Sequence, residues 1–210
     1  MTGRGSAPEF PLHVLSEYAL LADGERGVMV GPRGDFVWMC VPRWHSDAVF
    51  STLIGGAGVY AVTPAEPSFV WGGYYEQDSL IWRSRWVTTS QVIECREALS
   101  MPGDPHTAVA LRRILAVDGD TRVGVFLDPR AGFGRHRPSR ISRQGDVWTA
   151  RCGPLYLRWS GAAGSCATSP QRRELRGFDA NASAAFRHPP KDLSFRAFWC
   201  ACRGCARSMH

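Results

Sequence analysis

Residues 34–50 read GDFVWMCVPRWHSDAVF, the most information-dense stretch of the 210-residue chain. Its β-branched and aromatic run over 35–41 predicts a strand that ends just before a proline. Ser46 is a capping residue that stands ahead of regularly spaced apolar positions, and this pattern predicts one short helix over 46–54, ended by two glycines. The stretch therefore predicts a strand, a turn and a short helix in close succession.

The same kind of pattern extends outward over residues 12–164, where short apolar runs alternate with Gly, Pro and Asp turns. The step Asp118-Gly119-Asp120 between two apolar-rich arms predicts a β-hairpin over 108–127. Close spacing of so many short strands indicates an all-β antiparallel sandwich or barrel. The predicted strands are 26–30, 35–41, 59–62, 69–75, 80–89, 91–99, 108–117, 122–127, 147–151 and 155–159.

The formal net charge of +6 is unevenly distributed along the chain. Residues 1–164 have a balance of +1, whereas residues 165–210 have a balance of +5. The glycine- and alanine-rich stretch 161–164 marks the change, and no period of 2 or 3.6 follows it. We therefore expect a flexible N-terminus over 1–11 and an irregular, basic, Cys-containing tail over 165–210. A reading-frame shift in a GC-rich gene is one explanation for such a tail, and the charge is weak evidence for an acidic ligand.

Cysteine usage and targeting signals predict a reduced, cytoplasmic protein. Cys40, Cys95 and Cys152 are widely separated among apolar neighbours, which is typical of buried free thiols. The amino terminus lacks an apolar signal region, and no apolar run is long enough for a membrane span. The tail cysteines lack the second half of a zinc site, so we assign no metal and no cofactor. They are Cys166, Cys200, Cys202 and Cys205, with His210 nearby.

Residues 34–50 resemble the N-terminal signature of bacterial glycoside hydrolase family 15 proteins, the glucoamylase and trehalase-like group. In that group a turn is followed by an Asp-Trp strand, a Pro-Arg-aromatic turn and a short helix with an apolar-Phe pair. Residues 15–24, LSEYALLADG, resemble the group's opening segment, and 26–31 resemble its next strand. The similarity continues through 75–101, so it covers about residues 12–164.

This resemblance implies a β-sandwich N-terminal domain that precedes an (α/α) barrel. In the family the barrel supplies two Glu for inverting hydrolysis of an α-glucosidic bond, and their separation is a property of the barrel. The chain is expected to stop before such a barrel, so no catalytic residue is assigned, and the absent barrel is its expected partner. Whether the chain is an enzyme by itself stays open, although we expect it to be inactive alone. A flank that normally meets the barrel also predicts self-association.

Arg43, Trp44 and Trp71 are the candidate substrate-proximal or interdomain residues. Each lies beside a predicted turn, and exposed aromatic faces stack on sugar rings. We expect Trp38, Trp82, Trp86, Trp148 and Trp159, which lie in strand-like runs, to pack in the core or between domains.

The carboxylates and the basic cluster are expected to play no catalytic or nucleic-acid-binding part. Glu76 and Asp78 are expected at a solvated loop end, and Glu94 and Glu97 on opposite strand faces. Two alternatives to the accessory-domain interpretation remain. One is a free-standing module that binds α-glucoside sugars or another partner. The other is a basic nucleic-acid binder that uses the cluster at 135–143, which has few stacking aromatics.

Overall fold

A computed structural model describes residues 10–119 and 122–160 and the backbone of two later strands. Two single-turn 3-10 helices, Leu15–Glu17 and Thr52–Ile54, accompany the strands in these ranges. The strands are β1 Ala19–Ala22, β2 Gly27–Val30, β3 Asp35–Cys40, β4 Ala48–Phe50, β5 Val59–Pro64, β6 Val70–Tyr75, β7 Trp82–Val87, β8 Gln91–Leu99, β9 Thr107–Gly119, β10 Arg122–Asp128, β11 Pro138–Gln144, β12 Val147–Cys152, β13 Leu155–Ser160, β14 Arg172–Arg176 and β15 Ala180–Arg187.

The strands form two antiparallel sheets. The first has the order β1-β2-β3-β5-β10-β14, with β4 added to β3, and the second has the order β11-β12-β13-β15-β9-β8-β7-β6. Alternate residues of β8 are buried from Gln91 to Leu99, as expected for a strand with one face on a core. The indole of Trp86 in β7 donates to the Pro32 carbonyl before β3 (2.8 Å), which links the two sheets. The predicted all-β antiparallel sandwich is therefore confirmed.

The short helix predicted over 46–54 is wrong for most of its length. Ala48, Val49 and Phe50 are all fully buried and form β4, and only the single turn Thr52–Ile54 is helical. A helix would have exposed part of this run, whereas a strand beside β3 buries all three side chains. The carbonyls of Ala48 and Val49 also accept bonds from the loop after β10, from Phe133 (3.0 Å) and Arg130 (3.0 Å).

The hairpin predicted over 108–127 is also wrong, because its two arms lie in different sheets. β9 pairs with β8 and β15, whereas β10 pairs with β5 and β14. Asp118 and Gly119, the predicted turn residues, are instead the last two residues of β9 and pair with Val92 and Gln91 of β8. β9 pairs with β8, the strand before it in the chain, whereas β10 pairs with β5, which lies much earlier in the sequence.

Two strands fall inside the region predicted to be an irregular tail, and that prediction is wrong for both. β14 adds to β10 at the edge of the first sheet, and β15 lies between β13 and β9 in the second. Both positions offer unpaired backbone groups that a further strand satisfies. The rest of the tail, with its four cysteines, lies outside the described residues, as do residues 1–9 of the N-terminus predicted to be flexible over 1–11. The frameshift explanation stays a prediction.

Candidate functional site

Trp44 lies on an exposed surface where the β1–β2 turn meets the loop after β3. Its backbone amide donates to the Glu25 carbonyl (3.2 Å), and its side chain is 49% exposed. A methyl group at Gly27 would lie 2.2 Å from Trp44 Cη2 and 3.0 Å from Leu20 Cδ1. Only a glycine therefore lets the indole and Leu20 lie side by side on β2.

Two further side chains, the exposed Tyr75 and the half-buried Trp82, which also packs against the core, extend this surface across to the second sheet. The hydroxyl of Tyr75 donates to the Leu20 carbonyl (3.0 Å) and accepts from the Leu20 amide (2.7 Å). The Tyr75 and Trp82 rings meet edge to face, with centroids 5.0 Å apart. We call Leu20, Trp44, Tyr75 and Trp82 the aromatic surface. The aromatic surface runs from β1, at the edge of the first sheet, to β6, at the edge of the second.

The other two candidate residues differ in their placement. Arg43 is exposed beside Trp44 and forms a loose ion pair with Glu25, with 3.9 Å between Nε and Oε2. Trp71 is half-buried and packs against the core, and it pairs with Trp86 on the neighbouring strand β7. The structure therefore brings Arg43 and Trp44 together and places Trp71 in a packing position.

Carboxylates on the outer face of β6–β8 are bound by arginines. Glu94 accepts from Arg83 (3.2 Å) and Arg85 (2.9 Å). Glu76 accepts from Arg96 and from Arg83 (2.8 Å), and these bonds lower the pKa of Glu76. Glu76, expected at a solvated loop end, is therefore part of an ion-pair network.

Glu97 lies on the opposite face of β8 from Glu94, as predicted, and forms an ion pair inside the sandwich. Its Oε1 lies 2.7 Å from Arg112 Nη2, and both side chains have no exposed area. The Arg112 guanidinium lies 4.1 Å from the Phe36 ring centroid and 4.5 Å from that of Tyr60. It also donates to the Tyr60 and Gly34 carbonyls. The pair thus ties the second sheet to the first.

Burial raises the pKa of the groups around this pair. It raises the pKa of Tyr60 to about 12 and holds the pKa of the Cys95 thiol well above its usual range. Burial also raises the pKa of Glu97, while the Arg112 charge opposes that shift. Glu97 and Arg112 therefore form a buried structural ion pair. In the sequence it could have been recognised from a Glu and an Arg at inward positions of the adjacent strands β8 and β9.

The predicted thiols and metal ligands can be compared directly with the described part of the chain. Cys40, Cys95 and Cys152 are free and buried, as predicted. Within the described ranges, no group of three or more His, Cys, Asp or Glu side chains is arranged to hold a metal ion. None of the described helices has the length and apolar character of a membrane span.

Comparison with known proteins places this fold in a sequence family. A family model described as trehalase-like, N-terminal, matches residues 11–169. A trehalase from Mycobacterium tuberculosis is 33% identical over 92 residues, which are 43% of this chain and 14% of that protein. A trehalase from Mycolicibacterium smegmatis is 32% identical over 92 residues, again 43% of this chain and 14% of the relative. The match thus covers only a small part of each relative's length.

Proposed function

The chain belongs to the family of trehalase-like N-terminal domains, and from this premise we propose that it is the non-catalytic N-terminal domain of a glycoside hydrolase family 15 type enzyme. The parent enzyme would hydrolyse an α-glucosidic bond, as in trehalose or maltose, with residues of a separate catalytic barrel. The observation that carries the proposal is the extent of the match. The family model spans nearly all of the described sandwich, whereas the aligned stretch is 14% of each related trehalase.

The state of the carboxylates supports a structural role for the sandwich. Hydrolysis of a glycosidic bond needs two carboxyl groups that face a common cleft with room for sugar and water. Here Glu94 and Glu97 point to opposite faces of β8, and each is held by arginine. Glu76 is likewise held by Arg83. Such pairs fix strands to one another.

The aromatic surface is the part of the sandwich that we propose meets the catalytic domain, with Arg43 at its margin. Exposed aromatic side chains beside an arginine are typical of the residues that carry most of the binding energy in protein interfaces. Leu20, Trp44 and Tyr75 are 42%, 49% and 41% exposed, so each has area left to bury. Without a partner this surface would favour self-association. We also propose a cytoplasmic location for the protein.

Reconstitution tests this role. We expect the chain, added to a trehalase that lacks its matching N-terminal segment, to restore trehalose hydrolysis. Trp44→Ala and Arg43→Ala should weaken the restoring interaction, by roughly tenfold for the tryptophan. Arg158→Ala, an exposed arginine on β13, is the control and should restore activity fully. Equal rescue by all variants would remove Arg43 and Trp44 from the interface, and no rescue by the wild type would contradict an accessory role.

Binding of a sugar to Trp44 is the second candidate function, favoured by the exposed indole beside Leu20. Stacking of a sugar ring on this indole would change its fluorescence. Titration of the chain with trehalose and with maltose, in the wild type and in Trp44→Phe, tests this candidate. A saturable change that disappears in the variant would support a carbohydrate-binding module, whereas a flat response supports the interdomain role.

A further inference from the structure

A cavity of about 360 Å³ lies beside the β11–β12 hairpin, away from the aromatic surface. Its lining is polar and carries four arginines, and no Phe, Tyr or Trp side chain contributes to it. The lining residues are Arg135, His136, Arg137, Ser139, Arg140, Arg151 and Gly153.

The backbone around the cavity has a defined and unusual shape. Ser139 pairs with Arg151, but the register of β11 on β12 shifts between Ser139 and Ser142. Arg140 lies within this irregularity and has a φ of +50°, a conformation that residues other than glycine rarely adopt. Such bulges bend a strand and redirect its side chains. The shift therefore determines how Arg140 is presented at the cavity.

The loop that carries Arg135 and His136 is anchored by the buried thiol of Cys152. The amide of Ala131 donates to the Cys152 sulfur (3.3 Å), and the thiol donates to the His136 carbonyl (3.2 Å). The His136 ring lies against Gly153, where a methyl group would be 2.7 Å from it. The loop is thus held in place without a ligand, which reduces the ordering cost of binding.

The cavity arginines differ from other arginines of the molecule in their partners. Arg83, Arg85, Arg96 and Arg130 each pair with a Glu or Asp. Within the described part of the chain, no carboxylate forms an ion pair with a cavity arginine. The guanidinium of Arg151 is nevertheless positioned, because its Nε donates to the Gly153 carbonyl (3.2 Å) and it lies 5.2 Å from the Tyr156 ring centroid. Four like charges around one cavity therefore favour an anionic ligand.

We propose that this cavity binds a small phosphate monoester with a polar remainder. Guanidinium groups bind phosphate oxygens through paired, charge-assisted hydrogen bonds, and several of them match a dianion. The volume exceeds that of a phosphate group alone. His136 offers a ring nitrogen to the rest of the molecule, and the Ser139 hydroxyl, which donates to the Arg151 carbonyl (3.1 Å), can accept a hydrogen bond from it. A single-stranded nucleic acid fits less well, because such sites stack successive bases on aromatic side chains and this lining offers one imidazole and no Phe, Tyr or Trp.

Calorimetric titration of the full chain with glucose 6-phosphate tests the proposal, with inorganic phosphate and a single-stranded oligonucleotide as parallel arms. We expect saturable binding of glucose 6-phosphate, weaker binding of inorganic phosphate and the weakest binding of the oligonucleotide. The double variant Arg137→Gln/Arg140→Gln should lose at least about tenfold in affinity for the phosphate ester. Thermal unfolding of each variant establishes that it is folded.

The double variant Arg83→Gln/Arg85→Gln is the matched control, because it removes the same charge from arginines that already have carboxylate partners. It should bind glucose 6-phosphate as the wild type does. An equal loss in both double variants would overturn the site and leave only general charge attraction. Tighter binding of the oligonucleotide, affinity for inorganic phosphate as high as for the ester, or no binding at all would also overturn it.

Discussion

Arginine occurs in two opposite surroundings in this molecule. Arg112 is buried in the sandwich, whereas the four arginines of the cavity beside β11–β12 line a surface. Arg112 has no exposed area, and Glu97, two backbone carbonyls and two aromatic rings surround its guanidinium. The four cavity arginines have no carboxylate partner among the described residues. A buried charge must be paired because burial removes its hydration, whereas a charge at the surface is screened by water. Unpaired arginines thus persist at the surface, where a ligand can reach them.

The largest effect is expected from breaking the buried pair. Arg112→Met leaves the Glu97 carboxylate without its partner in the core, and we expect a loss of about 3–5 kcal/mol in the free energy of unfolding. Urea unfolding of the full chain measures this loss. Arg85→Met, which breaks an ion pair on the outer face, should cost less than about 1 kcal/mol.

The double variant Glu97→Leu/Arg112→Met sharpens that result. It removes both charges together, so it should recover much of the stability that Arg112→Met loses. A single Arg112→Met variant as stable as Arg85→Met would contradict the description of Arg112 as an enclosed charge.

An intermediate effect is expected at the thiol that anchors the cavity loop. Cys152→Ala removes a buried sulfur and its bonds to Ala131 and His136, at a cost of about 1–2 kcal/mol. It should also weaken glucose 6-phosphate binding, because the loop with Arg135 loses one of its anchors, the others being the backbone bonds of Arg130 and Phe133 to β4. Cys95→Ala removes a buried thiol elsewhere in the core and should lower stability without changing that binding. Chemical unfolding and calorimetry on both variants provide the comparison, and unchanged binding in Cys152→Ala would separate the thiol from the cavity.

A smaller effect is expected from neutralising an arginine of the cavity. Arg137 is exposed and forms no ion pair with any described residue, so Arg137→Gln should change the free energy of unfolding by no more than about 0.5 kcal/mol. At low salt the variant should be slightly the more stable protein, because it reduces repulsion among like charges. Thermal unfolding at low and high salt measures both effects. A marked loss of stability would show that Arg137 has a structural partner.

The smallest effect is a pH dependence at Glu76. Hydrogen bonds from Arg96 and Arg83 lower its pKa below the ordinary value of 4.5, so its contribution to stability is complete above that pH. The contribution is lost as the pH falls through the lowered pKa of the folded state. The stability difference between wild type and Glu76→Gln should therefore shrink between about pH 6 and pH 3. A difference that stays constant over this range would contradict the ion pairing.

Much of the fold was predictable, because the strands that bury one face carry their own pattern. β8 matches its predicted range, 91–99, and every second residue from Gln91 to Leu99 is buried. Two of the wrong predictions, the helix over 46–54 and the hairpin over 108–127, came from local turn and capping signals. β4 is a strand because it pairs with β3, and β10 leaves β9 because it pairs with β5, much earlier in the sequence; a local capping or turn signal contains neither pairing.

The candidate site was predictable in part. The exposed Trp44 was correctly distinguished from the buried Trp86 and Trp159 by its position in a turn. Trp71 has a similar local context but is half-buried, because Trp86 lies opposite it on β7. The cluster at 135–143 was visible as charge, whereas the cavity was not, because a strand irregularity and a buried thiol shape it.

The accessory role is tested most directly by assaying the purified chain for hydrolysis of trehalose and maltose, with glucose release as the readout. We predict no release above the rate without protein, because the reacting carboxylates are proposed to belong to a separate catalytic domain. Glucose release that scales with the concentration of the chain would contradict the account.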